Sequence, residues 1–364
     1  MTTRLLPSSL RQGTMTEPLR RPLYEIERLA EPMTVCVTGA TGYIASSIVR
    51  RLLSAGHTVH GTCRDPKNAA KVAHLEAMPG ATRHLKLFKA DLMDLGSFDE
   101  AVAGCKYVMH VASPVLLNVA KGKEQERLFG PAVKGVENVI SAVNKAGSVE
   151  RVVLTSSIAA VYGDKAEKGP GHVFTEADWN SAAREGFLPY QRSKLLAERR
   201  AWELCEQQPA GAERKWTLVA INPSVVWGPP EGNIKCESVG MMRQILNGAS
   251  WPVVLRVSIP FVDVDDVAAA HVLAMLTPEA QGRYIVSART LRMAELIDLL
   301  RPEYSRHWLP WLPLPYWLVA LLMRLKPRLA NADLVRVCWG EPEVIDCSKD
   351  MAASLIALGI AKKC

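Results

Sequence analysis

Residues Val37 to Ser46 read VTGATGYIAS and follow directly on the β-branched run that begins at Met33. A short strand that ends in glycine, then passes into helical apolar spacing from Ile44 to Leu53, is the setting of a dinucleotide-cradling turn. Gly39 permits the tight turn, and Gly42 lets the backbone approach a pyrophosphate. Amides at the helix N-terminus favour the negative charge there. The third position of the fingerprint needs a small side chain for close helix–sheet packing, so Ala45 is expected to serve where glycine is usual. The candidate contacts of this turn are Gly39, Thr41, Gly42, Tyr43 and Ile44. A glycine-rich turn with no ligand is the plain alternative.

The pattern repeats downstream. HTVHGTC (57–63), HLKLFKADL (84–92), KYVMHVAS (106–113), RVVLTSS (151–157) and WTLVAINPS (216–224) are compact apolar runs separated by helical stretches. Strands that alternate with helices predict an α/β fold, a doubly wound parallel sheet of Rossmann type with ligands at the carboxyl ends of its strands. From Pro223 the alternation weakens into a proline- and glycine-rich loop. The expected division is an unstructured extension over 1–32 and a nucleotide-binding core over 33–222. Residues 223–364 then form mainly a smaller substrate-binding lobe, with about 260–287 returning to the core.

Composition narrows the classes. The chain has 364 residues, 48% hydrophobic and 22% charged, with a net charge of +7. The basic residues are dispersed, with small knots such as Arg20-Arg21, Arg199-Arg200 and Lys362-Lys363. No like-charge block supports a nucleic-acid role, and an anionic cofactor suits the balance equally well. The eight cysteines form no C-x-x-C pair and no zinc-like spacing, so a reducing, cytoplasmic setting without disulfides or metal is expected. Residues 1–32 carry no signal-peptide run and no acidic residue before Glu17, leaving an extension or an organelle-targeting segment. Trp308 to Leu325 (WLPWLPLPYWLVALLMRL) is strongly apolar, but three prolines interrupt it and Tyr316–Met323 is too short to span a bilayer. A loop leading into a buried helix is expected there, with interfacial membrane contact as the alternative.

Two further stretches carry the chemistry. The second strand ends in Arg64, with Lys67 and Lys71 shortly after. A guanidinium suits a ribose 2′-phosphate, so NADPH is favoured over NADH, although Asp65 adjoins. YQRSK places Tyr190 and Lys194 at i and i+4 on one helical face. An ammonium beside a phenol is expected to lower its pKa toward working pH, and such a Tyr protonates a carbonyl oxygen. Ser157, at the end of LTSS, is placed to hydrogen-bond the same oxygen. A lone Tyr-x-x-x-Lys pair is usually two surface residues; the dinucleotide turn and strand-end serines reverse that balance.

VTGATGYIAS, TCRDP, KADLMD, HVASP, VLTSS, YQRSK, INPSVVWGP and FVDVDDVAAAH fall in this order within about 34–284, with a late match at IDCSKDMAASLIALGI. In this the chain resembles the extended short-chain dehydrogenase/reductases, within the NAD-dependent epimerase/dehydratase superfamily. It is most similar to the dihydroflavonol reductase, cinnamoyl-CoA reductase and aldehyde (methylglyoxal) reductase branch. The resemblance implies that Ser157, Tyr190 and Lys194 are catalytic, with Lys194 also holding the nicotinamide ribose. It puts Asp91 and Leu92 beside the adenine, Val111, Ala112 and Ser113 along the cofactor, and Arg64 and Lys71 at the 2′-phosphate. Pro223, Ser224, Val225 and Val226 would border the nicotinamide, and Ser238 would touch the cofactor from the lobe. Residues 115–127 should help shape the substrate pocket, and Trp227 and Trp251 are candidate apolar walls.

The implied activity is an NADPH-dependent reductase of an aldehyde or ketone, Tyr190 acting as general acid, in a monomer or homodimer. The alternatives are a nucleotide-sugar epimerase or dehydratase, a 3-beta-hydroxysteroid-type dehydrogenase, and a non-catalytic NADPH-binding regulator.

Overall fold

The computed structural model describes residues 24–26, 31–114, 119, 122–169, 171–208, 215–234, 236–325, 331–340, 342–347 and 361–363. Most of the expected N-terminal extension and the late match beyond residue 347 lie outside them. Within the extension, Tyr24–Ile26 forms a short strand antiparallel to Ala361–Lys363.

Seven strands form the central sheet: β1 (Thr34–Val37), β2 (Thr58–Cys63), β3 (Leu85–Lys89), β4 (Tyr107–His110), β5 (Arg151–Thr155), β6 (Thr217–Pro223) and β9 (Gly282–Val286). Their spatial order is β9-β6-β5-β4-β1-β2-β3, and every neighbouring pair is parallel. The order reverses at β1, which puts a crevice above the junction of β1 and β4.

Side-chain alternation explains the layers. In β1, Val35 and Val37 pack on one face while Cys36 packs on the other, all fully buried. The first face is covered by α1 (Tyr43–Ser54), α2 (Ala69–Glu76) and α6 (Val264–Leu276), and the second by α3 (Gly130–Ala146) and α4 (Pro189–Glu206). Both faces being covered, the strands read as continuous apolar runs. In α1 the inward positions are Ala45, Ile48, Val49 and Leu52, a helical stripe toward the sheet. Ala45 is 1% exposed, so the small residue at the third fingerprint position packs as expected.

A separate three-stranded sheet is built from residues beyond Pro223, in which β8 (Ser258–Asp263) pairs in parallel with β7 (Val225–Trp227) and antiparallel with β10 (Arg289–Arg292). Around it lie α5 (Glu237–Leu246), α7 (Met293–Leu300), α8 (Tyr316–Leu325) and α9 (Ala332–Val337). Here one expectation is corrected. Helix α8 buries only Val319 and Met323, while Trp317, Leu321 and Leu325 are 68%, 46% and 70% exposed. The apolar stretch is a surface helix. Its inward residues stand four apart, and the outward ones form a second, equally apolar stripe.

Gly61 in β2 gives a packing test. A Cβ there would lie 2.9 Å from the Ala40 Cβ and 3.1 Å from a Leu87 methyl. Gly61→Val is expected to cost about 1–3 kcal/mol of unfolding free energy by overpacking, measured by chemical denaturation.

Candidate active site

The turn after β1 is built from backbone. Gly39 adopts φ +65°, a left-handed conformation that side chains resist. A Cβ there would stand 3.0 Å from the Ala112 Cβ, so the turn and the loop after β4 pass in contact. The Gly42 amide closes the turn onto the Gly39 carbonyl at 2.8 Å, and Gly42 caps α1 in extended conformation. Thr38 ties the two strand ends together. Its hydroxyl oxygen accepts from the amides of Val111 and Ala112, both at 3.0 Å, and pairs with His110 Nδ1 at 3.1 Å. Burial, then the charge of Lys194, pulls His110 down to about 3. The ring is therefore neutral, and Nδ1 accepts the Thr38 proton.

The basic residues expected at the 2′-phosphate lie after β2. Arg64, Lys67 and Lys71 are exposed. Asp65 instead accepts from the Lys67 amide at 3.1 Å, a local turn that engages the carboxylate. Asp91 similarly accepts from the Met93 amide at 2.9 Å. The Leu92 carbonyl is held by Asn138 Nδ2 at 2.7 Å, and its side chain lies 3.0 Å from where a Cβ on Gly135 would stand.

The reactive constellation gathers at the ends of β4 and β5. Leu188 caps α4 at φ +54°, strained backbone for a branched residue, with its side chain buried beside Ala183 and Val337. This entry starts the helix one residue before Tyr190. The Ser157 hydroxyl lies close enough to Tyr190 to pull its phenol pKa down, and Ser157 Oγ accepts from the Ala159 amide at 3.2 Å. Lys194 Nζ donates to Ser113 Oγ at 3.1 Å. The structure therefore brings Ser113, Ser157, Tyr190 and Lys194 together.

The expected electrostatics need correction. Burial raises the Tyr190 pKa, with only the Ser157 hydrogen bond lowering it. The same desolvation pulls Lys194 from 10.5 down to about 8, against the attraction of Glu198. Removing both groups from water outweighs their sharing of a helix face.

Several functional positions were not singled out in the sequence. Glu198, four residues beyond Lys194, is 1% exposed. Its carboxylate accepts from Ser156 Oγ at 2.5 Å, Asn222 Nδ2 at 2.8 Å, Arg283 Nε at 2.6 Å and Trp202 Nε1 at 3.3 Å. The spacing Tyr190-Lys194-Glu198 was a visible signal; its partners just after β5 and on β6 and β9 were not. His271 holds Thr155, one residue before the Ser156-Ser157 pair, through Nε2 at 2.6 Å and the Val267 carbonyl through Nδ1 at 2.8 Å. Burial pulls it down to about 4; the carbonyl only accepts, so Nδ1 carries the proton.

The remaining predicted contacts divide. Pro223 ends β6, and the Ser224 amide bonds the Val286 carbonyl at 3.0 Å. The buried Ser224 Oγ and Asn222 Oδ1 have no hydrogen-bond partner among the described residues, as expected where a polar ligand completes the site. Val225 and Val226 start β7, Val226 packing with Tyr43. Tyr43 directs its hydroxyl to the Gly228 carbonyl at 2.8 Å, so it links core to lobe. Ile44 packs in the same cluster, and Thr41 lies in the turn itself. Ser238 accepts from Trp227 Nε1 through its carbonyl at 3.1 Å. Trp227 stacks on Phe261 at 3.9 Å, whereas Trp251 is 46% exposed. Of the expected pocket segment, residues 115–118, 120 and 121 lie outside the described residues.

Known proteins resemble this chain over most of its length. The NAD dependent epimerase/dehydratase family matches residues 35–287. Cinnamoyl-CoA reductase CAD2 of Medicago truncatula is 41% identical over 282 residues, covering 76% of this chain and 82% of that protein. Tetraketide alpha-pyrone reductase 1 of Arabidopsis thaliana is 38% identical over 283 residues, covering 77% and 82%. Among solved structures, Gre2 of Candida albicans in complex with NADPH has a TM-score of 0.70 at 28% identity, covering 90% of this chain and 94% of that one.

Two outcomes test the electrostatics. Between about pH 8 and 10 the unfolded chain holds the Lys194 proton and the folded chain releases it, so this group makes stability rise with pH. The buried ammonium costs about 3 kcal/mol at neutral pH. Lys194→Met is expected to flatten that rise in unfolding curves of cofactor-free protein; Tyr190 opposes it only above its ordinary value of 10. Glu198→Ala takes a buried carboxylate from Arg283 and is expected to cost about 3–5 kcal/mol. In a thermodynamic cycle, Glu198→Ala/Arg283→Ala should cost clearly less than the two single changes summed.

Proposed function

The chain belongs to the NAD-dependent epimerase/dehydratase family, and from that membership we propose that it is an NADPH-dependent reductase of aldehyde or ketone carbonyls. The observation that carries the reading is the gathering of the Ser157 hydroxyl, the Tyr190 phenol and the Ser113-bonded Lys194 ammonium at strand ends beside the Gly39 turn. The residues present suit the cofactor. The crowded turn at Gly39 and Gly42 and the N-terminus of α1 take the pyrophosphate, and Arg64 and Lys71 take the 2′-phosphate. Asp91 and Leu92 flank the adenine; Val111, Ala112 and Ser113 line the path. Pro223 to Val226 border the nicotinamide, with the Ser224 hydroxyl as a donor. NADPH, when bound, supplies a hydride to the carbonyl carbon.

This chain's residues handle the oxygen. Burial keeps the Tyr190 phenol protonated at neutral pH, the state a general acid needs. Its proton passes to the carbonyl oxygen, and the Ser157 hydroxyl donates a hydrogen bond to the same atom. Lys194 then stabilises the phenolate and holds the ribose hydroxyls, Ser113 orienting its ammonium. The substrate class follows the named relatives: extended aromatic or polyketide carbonyl compounds, of apolar character.

The test follows NADPH absorbance with aldehydes, diketones, flavanonols, cinnamoyl thioesters and steroid ketones. Carbonyl-dependent oxidation is expected, with kcat reduced about 10²–10⁴-fold by Tyr190→Phe. Arg64→Ala is expected to raise KM for NADPH about 10–100-fold, the loss of one charge-assisted contact, and to leave KM for NADH nearly unchanged. Tightly held NAD without carbonyl reduction would move the reading to an epimerase. NADPH binding without turnover would move it to a regulator.

A further inference from the structure

We propose that the face formed by residues 308–325 together with Trp251 docks on an anionic lipid surface. Of the fifteen large hydrophobic side chains that are exposed among the described residues, eight fall within these eighteen positions. Single exposed apolar residues need no explanation; a cluster does. Trp308, Trp311 and Trp317 are 67%, 58% and 68% exposed, and Trp251 meets Trp308 edge to face at 5.1 Å. The face is held in place from behind. The amides of Trp311 and Leu312 bond the Pro252 carbonyl at 2.9 and 2.7 Å, and Arg301 Nη2 bonds the Pro310 carbonyl at 3.1 Å.

Composition and charge select the occupant. Tryptophan with an apolar body and an N–H edge favours the water–lipid boundary. Exposed Arg306 and Arg324 border the stretch, and the sequence holds no acidic residue from Tyr304 to Ala332. Helix α8 has ten residues, about 15 Å of length against the roughly 30 Å of a hydrocarbon core. No described helix is long and apolar enough to cross a membrane. An element of this kind lies in the interface, where apolar burial and attraction to anionic headgroups add. A twofold contact between copies would set the arginines of this stretch against themselves.

The test is sedimentation of the full-length protein with phosphatidylcholine vesicles, with and without phosphatidylserine. Binding that depends on phosphatidylserine is expected. Trp317→Ser/Leu321→Ser should weaken it at least about tenfold, and Arg306→Gln and Arg324→Gln by about fivefold each. All four positions are exposed, so thermal unfolding midpoints should stay unchanged, a readout independent of reductase activity. In the wild type, brominated lipids should quench tryptophan emission. No vesicle binding by the wild type, or equal binding by the variants, overturns the proposal. So does a dimer, seen by light scattering, that the same substitutions dissociate, since the face would then belong to a second copy.

Discussion

The Glu198 carboxylate is the fixed point of the site. Four donors converge on it, from the end of β5, from β6, from β9 and from the next turn of its own helix. Arg283 is clamped in turn by the Glu176 and Asp178 carbonyls and lies over the Trp179 ring at 3.9 Å. A buried ion pair is weak evidence of net stability, because desolvation offsets its attraction. Its consequence here is positional. Tyr190, Lys194 and Glu198 share one face of α4, so anchoring Glu198 on three strands fixes the rotation of the helix. That rotation presents Tyr190 to Ser157 and Lys194 to Ser113. Asn222 adds a second tie, donating to the Ser157 carbonyl at 3.1 Å as well as to Glu198.

Thr38 does for the turn what Glu198 does for the helix. Its hydroxyl uses both lone pairs and its proton, on two amides and a neutral imidazole. The β4 loop is thereby drawn against Gly39, at a spacing that leaves no room for a side chain. His271 supports the next strand end from within α6. Two buried histidines thus act as uncharged hydrogen-bonding spacers, because burial removes the proton that would make them charged. In such a dry setting, the charge on Lys194 falls where its few polar neighbours steer it.

Much of the fold was legible because its signals are local. The strand–glycine–helix turn, the compact apolar runs and the Tyr-x-x-x-Lys pair each depend on residues a few positions apart. The constellation Ser157, Tyr190 and Lys194 followed from motifs that a parallel sheet gathers at one edge. What was not legible depends on partners far along the chain. Glu198 and Arg283 are 85 positions apart, and nothing in either neighbourhood announces the pairing. Spacing placed the Tyr and Lys on one face and suggested a depressed phenol pKa. It carries no information on how dry that face becomes, and dryness reversed the sign.

Helix α8 fails differently. Its apolar residues fill both the inward stripe at Val319 and Met323 and the outward stripe at Trp317, Leu321 and Leu325. Periodicity identifies a helix that wants cover, and hydrophobicity on all sides reads as burial. The number of covering surfaces, however, belongs to the tertiary structure. Here the lobe covers one side, through Val257, Val335 and their neighbours, and leaves the other exposed. A helix apolar on both sides, in a lobe able to cover only one, carries its own requirement for a second apolar phase. The arginines at the margins of the exposed side give that phase a sign of charge, and the core, whose strands are covered on both faces, shows no such requirement.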